Sequence, residues 1–254
     1  MARVPDVSNV PATKMRLGLV QCGHVHPDVA RTTGDYPALF TGLLDGHDVE
    51  LTTYLAVDGE LPLSPAEQDG WIISGSANST YDDEPWIALT QQFLRDVVEA
   101  EAPMVAVCFG HQLLAQALGS TVAKSPNGWG VGLHTYQLIG DPRSWMDPPL
   151  GAELHLLASH QDQVQALPHG AELLATSPHC PIAAYSIGST ALAIQPHPEF
   201  TPLVSKGLLE IRRPIIGDEI VDAAEASLAS EPDNEAFGNW MISFLREAIR
   251  SDRP

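Results

Sequence analysis

The chain has 254 residues, 44% of them hydrophobic, which is long and apolar enough for one large α/β domain with a sizeable core. Its 32 aspartates and glutamates outnumber 13 lysines and arginines, so the formal net charge is −19. This charge argues against nucleic-acid binding, which needs clustered cations. No apolar stretch reaches the roughly 18 residues of a membrane-spanning helix, so we expect neither nucleic acid nor a membrane among the partners.

The N-terminus and the cysteines set the expected organisation and compartment. Residues 1–14 are polar, contain proline and lack the apolar core of a signal peptide, so we expect a flexible extension followed by a single domain over residues 15–254. The three cysteines, Cys22, Cys108 and Cys180, are odd in number and widely spaced, which favours neither a disulfide framework nor a metal set. This usage fits a reducing cytoplasm. No glycine-rich phosphate-binding motif follows a strand, so no metal or nucleotide cofactor is expected.

In the first part of the chain, short apolar strands alternate with helices. This alternation is typical of an α/β fold with a doubly wound, mostly parallel sheet and flanking helices. The predicted elements are a strand at 16–21, a short helix at 37–45, strands at 49–54 and 71–74, a helix opening at 82–86, a strand at 104–107 and a helix at 112–118 closed by Gly119.

After about residue 121 the pattern changes to short strands separated by turns, which predicts a small antiparallel extension of the sheet. A buried strand follows, and the last predicted element is an amphipathic helix whose apolar stripe we interpret as core packing. These elements are strands at 134–139, 154–158, 162–166, 171–176 and 182–187, a strand at 191–195 and a helix at 235–250.

Cys108 lies at a sharp turn between the predicted strand at 104–107 and the helix that follows. Such a nucleophile elbow projects its side chain above the edge of the sheet. The helix N-terminus behind the cysteine favours a thiolate and any oxyanion formed nearby. A lone cysteine at a strand end is more often a small buried hydrophobe, so the interpretation as a nucleophile depends on a partner elsewhere.

That partner is indicated by a second motif just after the strand at 191–195. A cysteine nucleophile needs a base, and the base needs a third group that orients its ring. His197 and Glu199 are two residues apart on an extended segment, so their side chains point the same way. Together with Cys108 they predict a Cys-His-Glu catalytic triad.

The motifs resemble those of the class I, or triad, glutamine amidotransferases. The elbow matches the family's Cys-x-Gly-x-Gln, the later motif matches its His-Pro-Glu, and the turn after an earlier strand aligns with its Ser-Gly-Gly-Pro-x-Ser segment. The resemblance covers nearly all of residues 16–200. The matching runs are Cys108-Phe109-Gly110-His111-Gln112, His197-Pro198-Glu199 and Ser74-Gly75-Ser76-Ala77-Asn78-Ser79.

The resemblance implies a flavodoxin-like fold and an enzyme that hydrolyses the γ-amide of glutamine through a γ-glutamyl thioester. It implies that the backbone amides of Phe109 and of the Gly75–Ser76 turn form the oxyanion hole, and that Gln112 contacts the substrate. No synthetase domain is recognisable in the sequence. We therefore expect a stand-alone enzyme whose ammonia passes to a separate synthetase subunit or is simply released.

A further segment resembles the GMP synthetase branch of the family. Ser159, His160 and Gln161 precede Asp162 and match a Ser-His-Gly-Asp segment whose backbone groups hold the α-amino and carboxylate ends of the substrate. These three residues are therefore candidate substrate contacts. Gln161 replaces the glycine of that branch, and His160 is equally compatible with a structural turn.

Two alternatives stay open. The Ser74-Gly75-Ser76 form of the turn and the Ser-His-Gln-Asp run also resemble plant γ-glutamyl peptidases of the same superfamily, and Ser76-Ala77 stands where glutaminases commonly have Gly-Pro. A γ-glutamyl peptidase would act on γ-glutamyl peptides or conjugates, which have a larger leaving group. The alternative from a different class is a non-catalytic binding protein that keeps the fold.

Other polar residues give weaker signals. His24 and His26 form a His-x-His pair that no further ligand completes, and we expect them on a loop near the active-site edge. His111 is interpreted as structural. Arg212 and Arg213 are interpreted as a solvated pair.

Overall fold

The computed structural model describes residues 14–251. Its central feature is a nine-stranded sheet with helices packed on both faces, which confirms the predicted α/β fold class. The flexible extension expected at residues 1–14 lies, except for Lys14, outside the described residues.

Parallel strands form one half of the sheet, and the antiparallel strands continue it. The strands are β1 (Met15–Val20), β2 (Val49–Tyr54), β3 (Gly70–Ile73), β4 (Met104–Val107), β5 (Val122–Lys124), β6 (Gly130–Leu138), β7 (Glu153–His160), β8 (Asp162–Val164), β9 (Ala171–Thr176), β10 (Ala184–Ile187) and β11 (Ala191–Ile194). Their order across the sheet is β2-β1-β3-β4-β11-β10-β9-β6-β7. The first five strands run parallel to one another, and every neighbouring pair from β11–β10 onward is antiparallel. Strand β8 pairs instead with β5 in a separate two-stranded ribbon.

Strands β4 and β11 are neighbours, and every residue of both is buried. Apolar residues on both faces suit such a position, because helices cover both sides of a parallel sheet. The two strands are parallel, with Val107 beside Ile194, so both leave the sheet at the same edge. This register places Cys108 next to the start of the segment that carries His197 and Glu199.

Helices cover the sheet on both faces and divide the core in two. They are α1 (Pro27–Thr33), α2 (Tyr36–Leu43), α3 (Pro85–Glu99), α4 (Phe109–Ala117), α5 (Pro202–Ile216), α6 (Asp218–Ser227) and α7 (Asn234–Ser251). Strand β4 shows the division: Val105 and Val107 enter the core beneath α1, α2, α5 and α7, and Met104 and Ala106 enter the core beneath α3 and α4. None of the helices in the described part of the chain combines the length and the apolar character needed to cross a membrane.

The structure extends the sequence-based assignment in several places. Helix α4 begins at Phe109, directly after the cysteine, rather than at Gln112. Helices α1, α5 and α6 were not predicted. The apolar stripe of α7 is buried against the sheet, which confirms its role in core packing, and includes Phe237, Trp240, Met241, Phe244 and Leu245.

Candidate active site

Cys108 occupies the bend between β4 and α4 in an unusual backbone conformation, with φ +50° and ψ −101°. Positive φ is rare for a residue with a side chain, and such strain persists only where the surroundings hold it. Here the N–H of Cys108 donates to the carbonyl of Ile194 at 2.8 Å, and its carbonyl accepts from the N–H of Gln112 at 3.0 Å. This is the geometry of a nucleophile elbow.

Two glycines permit close packing around the elbow. A Cβ at Gly110 would lie 2.7 Å from the carbonyl oxygen of Ile73, so glycine lets α4 approach the end of β3. A Cβ at Gly75 would lie 2.7 Å from Cε1 of His197 and 2.9 Å from the hydroxyl of Tyr36. The imidazole therefore packs directly against the backbone of the turn that follows β3.

His197 and Glu199 form a buried pair beside the elbow. Nδ1 of His197 lies 2.7 Å from Oε1 of Glu199, and the two side chains are 3% and 0% exposed. The ring of Phe200 stacks on the imidazole at 3.8 Å with an interplanar angle of 7°. The N–H of His197 also donates to the carbonyl of Leu157 on β7 at 2.8 Å. The ring is thus held on its face and at one nitrogen.

The electrostatic surroundings of His197 favour its charged form. Burial lowers the pKa of the His197 imidazole, but the negative charges of Cys108 and Glu199 have the larger effect and raise this pKa to about 10. An imidazolium beside the sulfur is the arrangement that stabilises a thiolate. The other two cysteines differ, because burial raises the pKa of Cys180 to about 12 and also raises that of Cys22.

A buried pair of glutamines connects the elbow to the opposite wall. Nε2 of Gln195 lies 3.6 Å from Sγ of Cys108, and Oε1 of Gln195 accepts from Nε2 of Gln112 at 3.0 Å. The same Nε2 of Gln112 donates to the carbonyl of Asp162 at 2.8 Å. Gln112, named above as a substrate contact, therefore also ties helix α4 to the segment that follows β7.

The residues named above for the oxyanion hole lie around the elbow. Phe109 is the first residue of α4, and Gly75 and Ser76 form the turn after β3. Within residues 14–251, their backbone N–H groups donate no hydrogen bond to another backbone or side-chain group. They are therefore available to an anion at the cysteine, and the N-terminus of α4 adds its dipole.

A cavity of about 190 Å³ opens over Cys108 and gathers the remaining candidate residues. Its wall includes Gln112, Ser159, His160 and Gln161. His160 is buried, with Nδ1 3.2 Å from the carbonyl of Asp162, and burial holds the pKa of its imidazole well below the usual value. The sequence-based set is thus brought together at one site.

Asp162 adds a carboxylate to this wall. It is 9% exposed, and it accepts hydrogen bonds from the hydroxyl of Ser79 at 2.6 Å and from that of Tyr81 at 3.1 Å. Neither partner is a cation. A carboxylate with uncharged partners at the edge of a cavity is suited to hold a positively charged group of a ligand.

The family profile described as Glutamine amidotransferase class-I matches residues 46–210, well over half of the chain. The chain belongs to the class I glutamine amidotransferase family. The matched span contains the elbow, the His197–Glu199 pair and the wall around Ser159.

The relatives include both γ-glutamyl peptidases and GMP synthases. The chain is 31% identical to γ-glutamyl peptidase 4 of Arabidopsis thaliana over 212 residues, which covers 81% of this chain and 84% of that protein. It is 30% identical to the glutamine-hydrolysing GMP synthase of Lactococcus lactis over 187 residues, which covers 72% of this chain and 32% of that protein. A crystal structure of a glutamine amidotransferase from Thermotoga maritima superposes with a TM-score of 0.69 at 18% identity, covering 92% of this chain and 97% of that one. The superposition shows a shared fold.

Sequence reasoning missed Gln195 and misplaced Arg212. The family motifs do not include Gln195, although it directly follows β11 and so comes to lie beside Cys108. Arg212 is not simply solvated: its Nη1 donates to the hydroxyl of Ser159 at 2.7 Å, its guanidinium lies 5.8 Å from the ring centre of Trp129, and it lines the cavity. Its neighbour Arg213 pairs with carboxylates of α6.

The loop after β1 lies at the edge of the site, as predicted. His24 and His26 line a second cavity that adjoins the first. Nδ1 of His24 lies 2.6 Å from a carboxylate oxygen of Asp35, and hydrogen bonding to this carboxylate raises the pKa of His24. His111, interpreted as structural, is fully buried within α4.

Proposed function

We propose that the chain is a hydrolase of γ-glutamyl amide bonds and that Cys108, His197 and Glu199 form its catalytic triad. The observation that carries the proposal is the strained elbow at Cys108 beside a buried, hydrogen-bonded His197–Glu199 pair. Glu199 fixes the tautomer and orientation of the imidazole and stabilises its charged form. The reaction needs no metal and no nucleotide.

In the first half-reaction, the thiolate of Cys108 attacks the γ-carbonyl carbon of the substrate, and the proton of the thiol resides on His197. The negative charge that forms on the carbonyl oxygen is held by the N–H groups of Phe109 and the Gly75–Ser76 turn. When the tetrahedral intermediate collapses, the carbon–nitrogen bond breaks. The imidazolium gives its proton to the leaving amine, and a γ-glutamyl thioester remains on the sulfur.

In the second half-reaction, water hydrolyses the thioester. His197 takes a proton from the attacking water, the same backbone groups hold the new oxyanion, and the carbon–sulfur bond breaks. Glutamate is released, and Cys108 is left as a thiolate beside the protonated His197, which restores the starting pair. Each step uses the same three side chains, because the base of one half-reaction is the acid of the other.

The wall of the first cavity is proposed to bind the amino-acid end of the substrate. Gln112 and the backbone and side chains of Ser159, His160 and Gln161 line this region beside the sulfur. The carboxylate of Asp162 complements an α-ammonium group there. In a γ-glutamyl compound this group is carried by the carbon three bonds from the reacting carbonyl carbon, whereas in an α-linked one it lies on the adjacent carbon. An ammonium site on the wall opposite the sulfur therefore suits the γ-linked substrate.

Glutamine is the simplest substrate, and its ammonia would pass to a separate synthetase subunit or be released. A γ-glutamyl peptide is the second candidate, favoured by the relationship to γ-glutamyl peptidase 4 of Arabidopsis thaliana, which spans most of both chains. The match to the GMP synthase of Lactococcus lactis spans only a third of that protein. We further propose that residues 15–254 act as one domain and that the protein works in the cytoplasm.

The test compares glutamate release from glutamine, a γ-glutamyl dipeptide and an α-glutamyl dipeptide. The proposal expects release from the γ-linked substrates only, with a loss of more than about 10⁴-fold in Cys108→Ala. Cys180→Ala is the matched control, because the thiol of Cys180 donates to the carbonyl of Ile182 at 3.6 Å rather than to a histidine, and this variant should keep its activity. Preference for the α-linked dipeptide would contradict the proposal. A folded wild-type protein that releases nothing would instead favour the non-catalytic alternative.

A further inference from the structure

The second cavity adjoins the first and contacts the catalytic histidine rather than the cysteine. Its volume is about 300 Å³, and His197 and Phe200 form part of its wall. The two cavities meet along a shared wall formed by Ser76, Ala77, Ser159 and Arg212.

The chemistry assigns different parts of the substrate to the two cavities. The acyl group must lie at the sulfur, and Cys108 lines the first cavity. The leaving nitrogen must lie within reach of the imidazolium that protonates it, and His197 lines the second. If the proposed γ-glutamyl chemistry holds, the second cavity is therefore on the leaving-group side.

The size and the wall of the second cavity do not suit ammonia alone. A water-sized molecule needs only about 10–15 Å³ of space, whereas small-molecule sites begin at roughly 300 Å³. Apolar side chains form much of the wall, among them Val25, Phe200, Leu208 and Ile211. Such a wall suits an apolar body attached to the leaving nitrogen.

Arg212 adds a positive charge that does not depend on pH to this cavity, beside His197. Among the residues that the structure describes, no carboxylate lines this cavity, in a chain whose formal net charge is −19. The guanidinium of Arg212 uses Nη1 for Ser159, and within the described residues it forms no ion pair. Its remaining donors and its planar shape suit a carboxylate, which an arginine can bind through two parallel hydrogen bonds.

We infer that the cavity beside His197 is a leaving-group subsite in which Arg212 binds the carboxylate of an apolar amino acid linked to the γ-glutamyl group. The favoured substrate class is then a γ-glutamyl dipeptide with a free C-terminal carboxylate. Arg212 acts as a specificity residue, because it contacts the part of the substrate that differs between glutamine and a dipeptide.

The experiment compares γ-glutamyl-leucine with γ-glutamyl-leucinamide, which differ only in the charge of the C-terminal group. A charge-assisted hydrogen bond predicts that the wild type prefers the acid by about 10- to 100-fold in kcat/KM. In Arg212→Gln this ratio should fall to about one. Arg213→Gln is the matched control, because Arg213 pairs with Asp222 on α6, and it should keep the wild-type ratio.

Three results would overturn the inference. The first is an acid-to-amide ratio near one in the wild type, and the second is a ratio that Arg212→Gln leaves unchanged. The third is an equal loss for both dipeptides and for glutamine in Arg212→Gln, because that pattern belongs to an arginine that holds the shared glutamyl end.

Binding measurements separate this inference from the proposed reaction. In Cys108→Ala, calorimetry should show γ-glutamyl-leucine binding at least about 10-fold more tightly than its amide, and the added Arg212→Gln change should remove the difference. Failure of the wild type to hydrolyse any γ-linked substrate would refute the reaction while leaving this binding difference to decide the subsite. Equal binding of acid and amide would refute the subsite alone.

Discussion

The parallel and antiparallel halves of the sheet differ in what they contribute to the site. The parallel half ends in the turn at Gly75, the elbow at Cys108 and the segment that carries His197, all at one edge. The antiparallel half contributes the wall from Ser159 onward, and α5 places Arg212 against it. The groups proposed to make and break bonds therefore lie on one half, and the groups proposed to recognise substrate lie mainly on the other.

This division has a physical cause. The carboxyl ends of adjacent parallel strands meet at a common edge, so short motifs in separate parts of the chain are brought together with little freedom. Antiparallel strands and a packed helix form a wall whose side chains can change while the edge stays intact. Variants in the parallel half should accordingly change kcat for every substrate, whereas variants in the wall should change KM or the choice of substrate.

The largest effect is expected at His197. His197→Ala removes the proposed base and acid and should lower kcat by about 10²–10⁴-fold for glutamine and γ-glutamyl dipeptides alike. Glu199→Gln keeps the base and removes only the group that orients it, so its loss should be smaller. Steady-state kinetics with all substrates measures both, with circular dichroism as the folding control. Near wild-type turnover in His197→Ala would show that His197 is neither the base nor the acid of the reaction.

A smaller loss is expected from crowding the imidazole. In Gly75→Ala the new methyl group would meet Cε1 of His197, so the ring must shift, and kcat should fall by about 100-fold. Gly42→Ala is the matched control, because a Cβ at Gly42, on α2, meets no atom within 4 Å. Equal kinetics for the two variants would show that the close approach at Gly75 has no role in turnover.

Asp162, in the wall of the first cavity, should affect KM rather than kcat. Asp162→Asn keeps the shape of the side chain but removes the charge proposed to hold the α-ammonium group. We expect KM to rise by about 10-fold for every γ-glutamyl substrate while kcat changes little. A fall in kcat at constant KM would contradict the division between the two halves of the sheet.

The pH profile gives the smallest and most specific effect. Burial lowers the pKa of His197, and the charges of Cys108 and Glu199 raise it to about 10, so the imidazolium persists below this pH and is lost above it. The value of kcat/KM should therefore fall as the pH rises through about 10. Glu199→Gln removes one raising charge while burial remains, so the alkaline limb should move to lower pH. An unmoved limb would mean that another group titrates.

Local sequence predicted the parts of the molecule that depend on local rules. The apolar run at 104–107, followed directly by Cys108 and a helix, specified the elbow, and the spacing of His197 and Glu199 specified their hydrogen bond. Gln195 could have been found from the parallel register, which places the residue after Ile194 beside Cys108.

The start of α5 carried a local signal that the sequence-based assignment missed. Thr201 caps this helix by accepting from the N–H of Val204 at 3.3 Å, and Pro202 follows it.

The position of Arg212 depends instead on packing that no short segment encodes. The direction in which Arg212 points depends on how α5 packs against β6 and β7. The contact of α5 with β6 and β7 joins segments far apart in sequence, so the sequence alone did not place Arg212 at the cavity.

Trapping of the activated thiol shows directly whether Cys108 is the nucleophile. The protein is incubated with a glutamine-like electrophile, and the adduct is mapped by mass spectrometry. We expect fast modification of Cys108 alone, since burial raises the pKa of Cys22 and Cys180, and their thiols donate to the carbonyls of Val20 and Ile182 rather than to a described histidine. The same reagent should modify Cys108 more slowly in the His197→Ala variant than in the wild type, because the imidazolium that stabilises the thiolate is absent. Equal labelling of all three cysteines, or labelling that leaves Cys108 untouched, would contradict the assignment of Cys108 as the nucleophile.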